Sequence, residues 1–87
     1  MKILAITDIV KKDSPLHYRN DYTANLHYEG LGKGEITRDI GFTVERDPLG
    51  KPKISIHLQG VLEYPLIPAK RKITEYIVEL EKRGDLV

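Results

Sequence analysis

Tyr22-Thr23-Ala24-Asn25-Leu26-His27-Tyr28-Glu29 alternates apolar and polar residues without a break. The run Gly30-Leu31-Gly32-Lys33-Gly34 separates it from a second alternating stretch. There Ile36, Ile40, Phe42 and Val44 stand against Glu35, Thr37, Asp39, Thr43 and Glu45. Asp47-Pro48-Leu49-Gly50 interrupts in turn, after which Ile54, Ile56, Leu58, Leu62 and Tyr64 alternate with Lys53, Ser55, His57, Gln59 and Glu63. Successive side chains of a strand point to opposite faces. Period two over three segments therefore predicts antiparallel strands with one buried and one wet face. The glycine-rich run reads as a hairpin loop, and Asp-Pro-Leu-Gly as a type I turn with Pro second and Gly fourth.

Outward from this meander the pattern changes twice. In Met1 to Val10 the residues Ile3, Leu4, Ala5, Ile6, Ile9 and Val10 fall on both faces of a strand. Their β-branched content favours a strand covered on both sides over a short helix. After Pro68 the period becomes 3.6, with Ala69, Ile73, Tyr76, Ile77 and Leu80 on one helical face. Pro68 suits the first helical position, Gly84 the C-terminal cap, and Lys82 and Arg83 the last turn, where the helix dipole favours cations. The expected fold is α+β: a four-stranded, mostly antiparallel sheet, made of a meander over residues 22–64 plus an N-terminal strand. One C-terminal helix packs on its apolar face, and residues 1–87 form a single small domain.

Composition bounds the function. The chain has 87 residues, 14 Lys+Arg against 13 Asp+Glu, 40% hydrophobic residues and no Cys or Trp. A net charge of +1, spread evenly along the chain, excludes a basic tail of the histone kind. No apolar run approaches the roughly 20 residues that span a bilayer, and no secretory cleavage pattern follows Met1. The expectation is a cytoplasmic protein with no cofactor and no membrane partner.

Four groups of residues are candidates for function. The turn registers place Asp39 on the central strand between Asn25 and Gln59, with His27 and His57 diagonal to it; two imidazoles and a carboxylate suit a metal or acid–base work. Arg38 is the only charge on the Ile36–Val44 apolar face, opposite Gly60 and beside Leu26. Its guanidinium either snorkels to the sheet edge or grips an anionic ligand or partner. Lys70, Arg71 and Lys72 fall in the expected first helical turn, where cations oppose the dipole; with free N–H groups beside them they describe an anion- or partner-binding site. The fourth is a long loop, Lys11 to Asp21, offering Lys11, Lys12, His17, Tyr18 and Arg19 as a binding surface.

No nucleophile-plus-base motif is visible, and the Gly30–Gly34 run joins two strands rather than a strand and a helix, which excludes a nucleotide loop. The leading expectation is a small non-catalytic binding or assembly module. It acts as a homodimer or with a protein partner, because four strands and one helix leave edges and one face open. The alternative is nucleic-acid binding through the basic helix start. The order of four strands and a helix is similar to that of the single-strand-binding transcriptional coactivators and the Whirly proteins. That resemblance is one of element order and implies a single-strand binder. Such binders stack bases on aromatic platforms, whereas Tyr22, Tyr28, Phe42 and Tyr64 all share the apolar face. The third reading is a metal-dependent enzyme built on His27, Asp39 and His57.

Overall fold

A computed structural model describes residues 1–12, 18–32, 34–58, 60, 62 and 64–86. Strands β1 (Lys2–Lys12), β2 (Arg19–Glu29), β3 (Glu35–Arg46) and β4 (Pro52–Leu58) precede one helix, α1 (Leu66–Lys82). The strands form one antiparallel sheet in the order β1-β2-β3-β4. The fold is the expected α+β sheet with a helix on its apolar face.

Both expected hairpin registers are present. Tyr28 pairs Ile36, His27 pairs Thr37 and Asn25 pairs Asp39. Glu45 pairs Lys53, Thr43 pairs Ser55 and Gly41 pairs His57. The second turn closes by the Gly50 N–H on the Asp47 carbonyl at 2.8 Å, while Asp47 Oδ1 accepts the N–H groups of Leu49 and Lys51. An Asp that opens a turn satisfies in this way backbone donors that have no ladder partner.

Boundaries differ from expectation at three places. Lys11 and Lys12 belong to β1, and Arg19, Asn20 and Asp21 to β2. The expected loop from Lys11 to Asp21 is therefore mostly ladder: Lys12 pairs Asp21, and Arg19 pairs Glu45. Backbone pairing prevails here over the turn preference of Asn20-Asp21. β4 stops at Leu58, so Arg38 pairs only Leu26, and Gly60, at φ 78°, is not its ladder partner. Gln59 and Glu63, expected opposite Asp39 and Glu35, lie outside the described residues, as does His17. Leu62 and Tyr64 still pack on the core.

The missing parity of β1 has a cause. Its register shifts between Ile3 and Ala5 and again between Thr7 and Val10, each time with one extra residue against β2. The two bulges bring Ile3, Ile6 and Ile9, spaced by three, onto one apolar face against the core. Asp8 sits in the second bulge at φ 52°.

The helix starts one turn earlier than expected. Leu66 follows a Pro65 N-cap, and the Ala69 N–H bonds the Pro65 carbonyl at 3.1 Å. Pro68 is then the third helical residue, where its missing N–H breaks no intrahelical bond. Leu66 and Ile67 are exposed, so the first turn carries no amphipathic signal. At the other end Gly84, at φ 75°, and Asp85 return N–H groups to Glu81 and Leu80, a Schellman closure.

The helix backbone approaches the two outer strands, β4 and β1, and stands off from the central pair. Leu26, Tyr28 and Phe42 fill that space under Ile73 and Ile77, all of them fully buried. Tyr22 stacks on Phe42 at 4.9 Å, and Tyr64 meets Tyr28 edge-on while its hydroxyl donates to the Glu29 carbonyl. An Arg46–Glu81 ion pair ties the far end of the helix to β3.

Candidate functional site

The helix-free face of the sheet is a grid fixed by the ladder. Thr7, Asn25 and Asp39 form one row, Val10, Thr23, Gly41 and His57 the next, and Lys12, Asp21, Thr43 and Ser55 the third. Gly41 has no side chain at the centre of this grid. A depression of about 650 Å³ opens there, with Asn25, Asp39, Thr43 and His57 on its walls and Lys12 and Arg19 at one end.

The polar groups around it hold one another. The Thr43 hydroxyl donates to Asp21 Oδ1 at 2.7 Å, so its oxygen accepts from His57 Nε2 at 3.2 Å. That order places a proton of His57 on Nε2. Arg19 Nε donates to the same Asp21 oxygen at 3.3 Å. The Thr43 hydrogen bond foremost, and Arg19 after it, hold the Asp21 carboxyl below the usual carboxylate range, although partial burial pushes the other way. On the β1 side Asn25 Nδ2 donates to Asp8 Oδ2 at 2.7 Å, so the bulge residue is anchored across the strand pair.

His27 is fully engaged. Its Nδ1 faces Glu35 at 3.2 Å and Thr37 at 3.1 Å, and Nε2 lies 2.6 Å from the Thr7 hydroxyl. A carboxylate can only accept, so Nδ1 donates, and in the singly protonated ring Nε2 accepts from Thr7. No ring lone pair is left to ligate. His27 and His57 are also offset by two strands and four residues, roughly 16 Å on standard sheet spacings. Among the described residues, no three His, Asp or Glu side chains converge as a metal set, and His27, Asp39 and His57 are not brought together.

The other candidates are dispersed. Lys12 and Arg19 reach the depression, but as strand residues rather than loop residues. Lys11 pairs Tyr22 and lines a smaller cavity of about 270 Å³ with Arg46 and Glu81. Tyr18 is exposed, and its carbonyl accepts the Arg46 N–H at 2.9 Å. Arg38 is half-buried on the apolar face. Lys70, Arg71 and Lys72 occupy the second helical turn rather than the first, one turn beyond the free N–H groups, and Lys72 Nζ donates to the Met1 carbonyl at 2.9 Å. The expected anion site at the helix start is therefore not assembled as sequence spacing implied.

Two residues of the site escape a sequence reading. Asp21 looks like a turn former, yet extending the first hairpin register sets it opposite Thr43. Asp8 has no such signal, because its place depends on a bulge.

The family model that matches this chain covers residues 1–82. The chain belongs to the BB_0187 family. The matched span takes in all four strands and ends with the last residue of α1. No curated protein and no solved structure matches this BB_0187-family chain. Among the described residues no helix is long and apolar enough to cross a membrane.

Proposed function

We propose that the chain is a small non-catalytic assembly module that works in the cytoplasm by associating with a second copy or a protein partner. The observation that carries this reading is the single helix on a four-stranded sheet, which leaves one whole face and both edges without a covering layer. Groups of catalytic type on the open face are committed to one another. Thr43, only 3% exposed, gives its proton to Asp21 and presents no nucleophile, and both ring nitrogens of His27 are engaged. The same face mixes Lys12, Arg19 and Lys53 with Asp21, Asp39 and Glu45, a poor match to a phosphate backbone.

Sedimentation equilibrium over a concentration series up to the millimolar range tests the reading. Reversible self-association supports it. A chain that stays monomeric but binds an oligonucleotide with submicromolar, salt-sensitive affinity overturns it in favour of nucleic-acid binding, with a slope near about −0.7 per phosphate contact for single strands.

A further inference from the structure

Backbone parity shows what each sheet edge offers. The Gly30 N–H bonds the Gly34 carbonyl at 2.9 Å and the Arg46 N–H bonds the Tyr18 carbonyl at 2.9 Å, both continuing the β2–β3 register. Even-numbered residues of β3 therefore bond to β2. The Asp47 N–H bonds the Lys51 carbonyl at 3.1 Å, continuing the β3–β4 register, so odd-numbered residues of β3 bond to β4. Bonded pairs alternate along an antiparallel ladder. Lys53, Ser55 and His57 thus turn their backbone groups inward to β3, and Pro52, Ile54, Ile56 and Leu58 turn theirs outward. No other strand among the described residues lies beyond β4.

This edge carries none of the usual guards. β1, at the opposite edge, is broken by two bulges and holds Lys2, Lys11 and Lys12. β4 keeps one unbroken register from Pro52 to Leu58, and Lys53 is its single Lys, Arg, Asp or Glu.

We propose that β4 pairs antiparallel with β4 of a second copy about a two-fold axis at Ser55, giving a continuous eight-stranded sheet. The proposal rests on the self-association reading above and names its surface. The strand is self-complementary in that register. The Ile54 and Ile56 N–H groups of each copy meet the Ile56 and Ile54 carbonyls of the other. The Leu58 N–H meets the Pro52 carbonyl, so Pro52, which has no N–H, is required only to accept. Every outward donor is satisfied over the full strand. On the open face Ser55 meets Ser55, and Lys53 falls opposite an imidazole, that of His57, rather than opposite another lysine. On the helix side Ile54 meets Ile56, which joins the two apolar layers. A generic strand satisfies the backbone alone, whereas a second copy satisfies the backbone, the Pro52 gap and the charges together.

The chain contains no cysteine, so Ser55→Cys is a single-thiol probe. Ser55 faces itself as a non-hydrogen-bonded pair, with Cα atoms about 4.5 Å apart, inside disulfide range. Position 57 lies about 13 Å from its own copy along the strand. Under mild oxidation at a concentration where the wild type self-associates, Ser55→Cys should become a covalent dimer and His57→Cys should remain uncrosslinked. Ser55→Lys, with circular dichroism like the wild type, should sediment as a monomer. A self-associating wild type whose Ser55→Cys variant does not crosslink, or crosslinks no better than His57→Cys, overturns the β4 interface and leaves the self-association reading standing. A wild type that is monomeric throughout, with no crosslink at position 55, overturns both.

Discussion

β1 and β4 bound the same sheet and rest on the same helix, yet they are built on opposite plans. β1 is an 11-residue strand with two bulges, a non-glycine residue at positive φ and three lysines. β4 is a 7-residue strand in unbroken register. The irregularities of β1 do two jobs with one device. They gather Ile3, Ile6 and Ile9 onto the core, and they spoil the outer edge as a template for another strand. The regularity of β4 leaves its edge open, so the two edges have different expected fates in solution.

The largest effect should come from the support the edges share. Ile77 is fully buried under a helix that approaches both outer strands. An unpaired buried carboxylate costs several kcal/mol, against a total stability of about 5–10 kcal/mol. Ile77→Asp should therefore abolish the cooperative melt, and a melt close to wild type would break the packing on which the comparison stands. The bulge comes next. Asp8→Val forces a β-branched residue into φ 52° and removes the bond to Asn25, for a loss of about 1–3 kcal/mol. Asp8→Gly keeps the backbone and should lose less; equal denaturation midpoints for both variants would show that the bulge is not fixed by that conformation.

Smaller effects belong to the open face. The double change His27→Ala, His57→Ala should alter stability by under about 1 kcal/mol, and Zn²⁺ should shift the wild type and the variant equally. A zinc shift confined to the wild type would restore the metal reading. The smallest effect concerns acid. The Asp21 carboxyl is depressed in the folded chain, chiefly by the Thr43 hydroxyl. Its contribution is present above the unfolded carboxylate pKa of about 3.9 and is lost as pH falls through the folded value. Thr43→Val should therefore differ most from wild type near neutrality and converge with it in acid. A gap in melting temperature that does not change with pH would contradict this.

The sequence discloses regular structure and hides irregular structure, for physical reasons. Tyr22–Glu29 and Glu35–Val44 show their period because one face is buried and the other wet, and their turns set the pairing. β1 hides its plan because two inserted residues turn a two-residue period into a three-residue one, and nothing local marks where they go. Leu66 and Ile67 conceal the first helical turn because they are apolar and exposed. Of the candidate site, Asp39, His57, Lys12 and Arg19 are nameable from residue type, and they do line the depression. The Asp21–Thr43 bond needs the register, and Asp8 needs the bulge.

Amide hydrogen exchange, read residue by residue at low and at high protein concentration, tests most directly the claim that one edge is open and the other closed. The outward amides of Ile54, Ile56 and Leu58 should exchange quickly in dilute solution and slow several-fold as concentration rises. Those of Ile3, Ile6 and Lys11, which face outward on β1, should not respond. Exchange at Ile54, Ile56 and Leu58 that is independent of concentration, or slowing on β1 instead, would contradict the account.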